Sequence, residues 1–274
     1  MKLLLSGDLH IGRSSTRMPA SVPREELRAA IAWNRIVDLA IEERVAAVCL
    51  SGDIIDQDNK FWEAVGSLEH GINRLSNANI RTFAVAGNHD HDVLTRLANQ
   101  LPCEHFTLLG RGGVWERVTF DRGAEGRLHI DGWSFPASRM HTSPLDGYNL
   151  PTDHATPTLG IVHGDLDVLN TPYARLELRR LQSLPPAGWL LGHIHASKLL
   201  DADGSPWVLY PGSPQALDPG ETGIHGPWIL KIDSGALGLP EQRPLSNVCY
   251  SCSVVSGYKS NSFNWLGSVC CGIC

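Results

Sequence analysis

The feature that most constrains this chain is one local pattern repeated three times near its start. Lys2 to Ser6 is a short, mostly apolar run that stops at Gly7-Asp8; Ala46 to Ser51 stops at Gly52-Asp53, and Ile80 to Ala86 stops at Gly87-Asn88. Short apolar runs closed by a Gly and a polar residue predict buried strands. Between the first two, Trp33, Ile36, Val37, Ala40 and Ile41 keep the spacing of an amphipathic helix, with Pro23 as a candidate first-turn residue. A second helical stretch, Phe61 to Leu75, separates the second and third runs. Strand, helix, strand, helix, strand predicts parallel βαβ units with right-handed crossovers.

The second half changes character. Leu128 to Phe135, Thr158 to His163, Trp189 to Leu191, Trp207 to Tyr210 and Trp228 to Ile232 are strand-like runs with Gly and Pro between them, and only Tyr173 to Leu181 reads as helical. Ala137 to Pro157 lacks periodicity and is rich in Ser, Pro, Asp and His, which predicts a long loop over one face and a candidate lid. The expected fold is therefore α/β, a β-sandwich flanked by helices.

With 23 Lys and Arg against 29 Asp and Glu, the net charge of −6 supplies no global basic field for nucleic acid or an anionic membrane. A phosphate-bearing partner has to be held by something local, such as bound metal. No uninterrupted apolar stretch approaches the roughly 20 residues that span a bilayer, so the expectation is a soluble, cytoplasmic protein without a membrane partner. Cys49 and Cys103 stand alone in the body of the chain, which does not read as a disulfide-stapled secreted domain.

Five motifs fall at the ends of predicted strands: Asp8-Leu9-His10, Gly52-Asp53-Ile54-Ile55-Asp56, Gly87-Asn88-His89-Asp90, His163-Gly164-Asp165 and Gly192-His193-Ile194-His195. The carboxyl ends of parallel strands open on one edge, so these residues can converge in one crevice. Carboxylate, imidazole and amide groups suit Mn, Fe or Zn, and no Cys lies among them. An i, i+2 pair such as Asp8/His10 or His193/His195 projects to one side where the backbone is strand-like. Singly, each motif is ordinary turn chemistry. Together they gather five of the twelve His; the others, His91, His141, His154 and His225 among them, are expected on surfaces or loops, with His141 and His154 in the long loop the candidates for an exception.

This series resembles the calcineurin-like metallophosphoesterase family, whose DxH, GDxxD, GNHD, HG and GHxH motifs occur here in order across about residues 1 to 235. The resemblance implies the family's αββα sandwich and two divalent transition-metal ions, Mn²⁺ foremost and Fe or Zn as alternatives. It assigns Asp8, His10, Asp53 and His195 to one ion and Asp53, Asn88, His163 and His193 to the other, with Asp53 bridging. His89 matches the position that protonates the leaving oxygen, Asp90 its supporting partner, and Asp56 a supporting residue rather than a ligand. Two ions about 3.5–4 Å apart activate water and stabilise both the attacking and leaving oxygens of an in-line displacement, which an anionic phosphodiester needs.

Tyr173-Ala174-Arg175-Leu176-Glu177-Leu178, the segment Trp189 to His195, and Tyr210-Pro211-Gly212-Ser213-Pro214-Gln215 are similar to the SbcD and Mre11 type of DNA repair exonuclease. That similarity implies DNA as substrate and an SMC-like ATPase as partner subunit. Arg13, Arg17 and Arg24 follow the first motif, where a phosphate backbone could lie, and Arg13 and Arg17 are the candidate substrate contacts. The alternatives are a phosphatase or cyclic-nucleotide phosphodiesterase acting on small phosphoesters, and a non-catalytic scaffold of the same fold, which the unbroken ligand set disfavours.

Composition breaks near Ser246. Lys259 is the only charged residue among the 29 from Ser246 to Cys274, which include seven Ser and five Cys. The catalytic domain is expected to cover residues 1–245, where relatives of the nuclease branch continue into a capping region. The tail 246–274 is expected not to pack on it. Cys249-x₂-Cys252 and Cys271-x₂-Cys274 are 18 residues apart, within the zinc-ribbon range of about 15–20. The knuckles lack Pro and a well-placed Gly, Cys270 adds an unneeded thiol, and the charge content collapses at Ser246, so a structural zinc is not favoured.

Overall fold

The structure is a computed structural model that describes residues 1–14, 27–56, 61–200, 206–233, 235–246, 249–251 and 268–270. The repeated strand pattern folds as expected. Strands β1 (Lys2–Ser6), β2 (Ala47–Leu50), β3 (Arg81–Ala84) and β4 (Phe106–Leu108) run parallel in that order. Helices α1 (Ala29–Glu42), α2 (Phe61–Asn77) and α3 (His91–Ala98) are the connections. Helix α1 starts at Ala29; Pro23 lies outside the described residues. On the far side of β1, β11 (Trp228–Asp233) adds antiparallel, with the short β12 (Ala236–Leu237) and β13 (Glu241–Gln242) paired to it.

A second sheet has the order β5 (Glu116–Asp121), β6 (Arg127–Trp133), β7 (Thr158–His163), β8 (Gly188–Gly192), β10 (Trp207–Tyr210), β9 (Lys198–Leu200). Its four central strands are parallel, so this sheet also gathers carboxyl ends on one edge. The strand alternation sorts the core. Leu3, Leu5, Cys49 and Phe83 face the second sheet and meet Leu128, Ile130, Ile161, Leu190 and Leu209. Leu4, Val48, Leu50 and Ala84 face the helices, against Trp33, Ile36, Val37, Leu68 and Ile72. The outer face of the second sheet buries Trp133, Val162, Trp189, Leu191 and Val208 under Leu145, Leu176 and Leu181. Two sheets with helices outside them give the expected αββα sandwich.

Some local expectations are corrected. The helix read over Tyr173 to Leu181 is α4, Leu178–Ser183. Residues 173–176 are non-helical instead, with Ala174 in the left-handed region, because Met140 bridges to Tyr173, Leu166 bridges to Leu176, and Asp165 exchanges backbone hydrogen bonds with Tyr173 and Leu176. The loop Ala137 to Pro157 is tied to the second sheet. Trp115 Nε1 donates to the Pro144 carbonyl at 2.8 Å, and Tyr148 OH donates to the buried carboxylate of Asp131 at 2.6 Å. His225 lies in a loop, as expected, but is buried there; its ring nitrogens face the carbonyls of Ser213 and Glu221 at 2.7 and 3.1 Å.

In the tail, β14 (Cys249–Ser251) pairs antiparallel with β15 (Ser268–Cys270), setting Cys249 opposite Cys270. Tyr250 is buried with Leu27 and Ala216, and its carbonyl accepts from the Gly223 N–H at 3.1 Å. For Cys249–Ser251, the expectation of a segment apart from the domain is therefore corrected: burial of the Tyr250 ring holds it on the body. Cys252, Cys271 and Cys274 lie outside the described residues. Among the described residues, no helix is long and apolar enough to cross a membrane.

Candidate metal centre

The strand ends of both sheets meet at one place. Asp8 and His10 follow β1, Asp53 follows β2, Asn88 follows β3, His163 ends β7, and His193 and His195 follow β8. The loops after β1 and β2 stay in register beyond their strands: Asp8 N–H donates to Gly52 O, His10 N–H to Asp53 O and Ile11 N–H to Ile54 O at 2.8–3.0 Å. Their backbone is not strand-like, however. Asp8, His10 and Asp53 have φ of 49°, 46° and 48°, and His193 has 104°, so local turns rather than strand alternation aim these side chains. Such strained positions persist where surrounding structure over-determines them. Close approach is the reason for two of the motif glycines. A Cβ on Gly87 would stand 2.2 Å from Asp53 Oδ1, and one on Gly192 2.0 Å from the Ser51 carbonyl oxygen.

Two triads result. Ligand-type atoms of Asp8, His10 and His195 lie within 4.8 Å of one another, and so do those of Asp53, His163 and His193. His10 Nε2 and His195 Nε2 face each other at 3.1 Å. Asp53 Oδ2 lies between the triads, 3.9 Å from His10 Nε2 and 3.4 Å from His163 Nε2. Asn88 Oδ1 is 3.1 Å from His163 Nε2. Asp8 also ties the sheets together, accepting the His193 N–H at 2.9 Å.

Burial sets the electrostatics. It pushes the Asp8 carboxyl up to about 6 against the pull of His163 and His195. It pushes His10 down to about 3 and, with the His163 charge, His193 down to about 4. Burial opposes ionisation of Asp53 and His163 too, but each holds the other charged: Asp53 is lowered well below the carboxylate range and His163 is raised to about 9. Buried carboxylates and imidazoles crowded together in this way are stabilised by pairing or by cations. The oxygen and nitrogen donor set, split into two triads with the Asp53 carboxylate lying beside His10 of the first, fits two divalent ions.

A family model described as calcineurin-like phosphoesterase matches residues 1–197. The chain belongs to this family. Within it, the chain is 29% identical over 210 residues to an uncharacterized metallophosphoesterase, YhaO, of Bacillus subtilis, covering 76% of this chain and 50% of the relative. It is 23% identical over 261 residues to the DNA double-strand break repair protein Mre11 of Methanosarcina mazei, covering 94% of this chain and 40% of the relative. The chain thus spans half or less of the length of these curated relatives. Among solved structures, a dimetal phosphatase from Danio rerio superposes with a TM-score of 0.54 at 12% identity, covering 89% of this chain and 96% of that one. A Thermus thermophilus protein, TT1561, gives 0.50 at 16% identity, covering 88% and 98%. These two share the fold. The calcineurin-like fold and the two clusters of ligand-type residues are those of a metal-dependent phosphoester hydrolase.

The remaining site residues divide. His89 is half-buried at the rim; its N–H donates to Asp53 Oδ1 at 2.9 Å and its ring centroid is 5.3 Å from that of His10. Asp90, expected to support His89, does something else. Its carboxylate is fully buried and accepts from the backbone N–H groups of Ile54, Ile55 and Gly87 at 2.6, 3.3 and 2.7 Å. Among the described residues no hydrogen bond joins it to His89. It clamps the Asp53 loop to the Asn88 loop, because its side chain turns inward at the start of α3 while that of His89 turns to the cleft. Burial first, and then the nearby Asp53 charge, raise its carboxyl.

Asp56 Oδ2 lies 3.8 Å from His10 Nδ1 and 3.3 Å from Arg13 Nε. Arg13 is thus partly engaged beside the first triad, with 41% of its side chain exposed. Arg17 and Arg24 lie outside the described residues. His141 and His154 are exposed. Two acidic residues that sequence reasoning left without a role back the histidines: Asp165 Oδ1 is 3.4 Å from His193 Nε2, and Glu221 Oε1 is 2.7 Å from His195 Nδ1. Asp165 stands inside a quoted motif and could have been found there. Glu221 carries no motif signal.

Proposed function

We propose that this chain is the nuclease unit of a DNA-repair assembly, hydrolysing DNA phosphodiester bonds with two Mn²⁺ ions held by Asp8, His10, Asp53, Asn88, His163, His193 and His195. The observation that carries this reading is the reach of the similarity to the Mre11 repair protein. It covers 94% of the chain, whereas the general family match stops at residue 197. The extra length includes the turn after β10 and Glu221, which pack directly on the metal-ligand set. Two divalent ions held by these residues would supply water activation and charge neutralisation at the scissile phosphate. His89, beside the cleft and outside both triads, donates the proton to the leaving oxygen, and Asp53 fixes its backbone. Arg13 contributes a cation at the rim. With a net charge of −6 and no broad basic field of its own, the chain relies on an SMC-like ATPase partner to deliver the DNA end, in the cytoplasm.

The test compares linear duplex DNA, a model phosphodiester and a model phosphomonoester on one sample whose metal content is measured. DNA and diester cleavage should dominate with Mn²⁺ present. Efficient monoester hydrolysis with no DNA cleavage under any metal condition would transfer the site to small phosphoesters, and no hydrolysis of any substrate by metal-loaded protein would mark a scaffold.

A further inference from the structure

The two triads are backed differently, and the backing of the first comes from a segment beyond the family match. After β10 the chain turns through Pro211-Gly212-Ser213 directly beneath the His195 loop; Ser213 N–H donates to His195 O at 3.0 Å. A Cβ on Gly212, at φ +73°, would stand 2.6 Å from that same carbonyl oxygen, so the turn sits as close as a backbone can. From there Glu221 reaches back. Its Oε1 accepts from His195 Nδ1 at 2.7 Å, and its Oε2 accepts from Ser213 Oγ at 3.0 Å and Leu217 N–H at 2.8 Å. The Glu221 side chain is 15% exposed and that of His195 25%. Behind it, buried His225 spans the Ser213 and Glu221 carbonyls and fixes the segment at both ends. Every oxygen of the Glu221 carboxylate is thus committed, one of them to the ring of a ligand-type histidine.

We propose that Glu221 is a positioning residue for the first triad: by accepting a hydrogen bond from Nδ1–H of His195 it keeps the ring proton on Nδ1 and leaves the Nε2 lone pair turned toward His10 and Asp8, and so sets the ion affinity of that triad separately from the second. The inference rests on the reading that the triads hold metal ions and is independent of what is hydrolysed. Carboxylate partners of this kind fix the tautomer and ring orientation of a ligating histidine, and removing one typically weakens metal binding about 10–100-fold. The second triad has no such dependence on Glu221. His163 Nδ1 is held by the Ser51 carbonyl at 2.9 Å, and His193 lies beside Asp165.

The experiment titrates metal-free wild type, Glu221→Gln and Glu221→Ala with Mn²⁺, counting free ion by its paramagnetic resonance. It also reads the ring proton of His195 by nitrogen-proton NMR in the absence of metal. Wild type should take up two ions. Glu221→Gln, which keeps the volume and removes the charge, should bind one ion unchanged and the other about 10-fold more weakly, and Glu221→Ala about 100-fold more weakly. The His195 proton should sit on Nδ1 in wild type and lose that preference in Glu221→Ala. Ser213→Ala, which removes one support of Glu221 and leaves its bond to His195, should fall between wild type and Glu221→Gln. Unchanged affinity for both ions in the two Glu221 variants overturns the proposal, as does equal weakening of both ions with a loss of thermal stability, which would mark a merely structural role. No Mn²⁺ uptake by wild type overturns instead the metal reading beneath it, and the NMR signal then decides the Glu221 pairing by itself.

Discussion

The first sheet sends Asp8, His10 and Asp53 into the site from loops with left-handed backbone and holds them by means close at hand. Those means are the continued pairing of the loops after β1 and β2, and the Asp90 clamp from the loop after β3. The second sheet sends His163, His193 and His195, and each is held by something from elsewhere: the Ser51 carbonyl of the first sheet, the Asp8 carboxylate at the His193 N–H, and Glu221 from the segment after β10. One half of the site is thus built into the folding of its own loops, while the other is assembled by docking. The difference teaches that supports of the first half should be needed for stability, and supports of the second for ion affinity within an intact fold.

The largest expected effect is at Asp53, which comes from the first half and reaches both His10 and His163. Asp53→Ala should reduce phosphodiester hydrolysis to background, as chelator should in wild type, with Mn²⁺ restoring only the wild-type protein; turnover measured before and after chelation checks this. His89 comes next. Its backbone belongs to the first half, yet its ring holds neither triad, so His89→Gln should lower turnover about 10²–10⁴-fold while both ions still bind. Steady-state kinetics on a substrate with a poor leaving group, with metal content measured alongside, separates the two readouts. Asp90→Ala should then split the halves, because it strands three backbone N–H groups. We expect a loss of about 3 kcal/mol in denaturant unfolding, against little change in stability for Glu221→Gln.

The same asymmetry decided what could be read in advance. Strands β1, β2 and β3 are buried on both faces, so they stand out as continuous apolar runs, and their ends carry Asp8, Asp53 and Asn88 in plain view. The edge strand β5, Glu-Arg-Val-Thr-Phe-Asp, is mostly solvated and leaves no such run. Residues 173–176 carry a helical spacing that tertiary bridges to Met140 and Leu166 override. The position of Asp90 was legible, but its direction was not: chain adjacency to His89 suggested a pair, and only the packed loops show the carboxylate turned to Ile54. Glu221 was out of reach because it meets His195 across 26 residues with no periodicity between them.

A smaller effect probes the core that joins the sheets. Cys49 lies in it fully buried, and burial pushes its thiol up to about 12, whereas Cys103 is exposed. At pH 8 a thiol reagent should modify Cys103 readily and Cys49 only on unfolding, which peptide mapping of the labelled protein would show. Smallest of all, truncation after Leu245 removes Tyr250 from its contact with Leu27 and Ala216 but touches neither triad. Hydrolysis of a small diester should be unchanged.

The central claim is that two sheets bring two ion sites together around one carboxylate. Anomalous diffraction from Mn²⁺-soaked crystals tests it most directly. The account predicts two peaks, one among Asp8, His10 and His195 and one among Asp53, His163 and His193, with the Asp53 carboxylate between them. A single peak, or none within reach of these side chains, would contradict it.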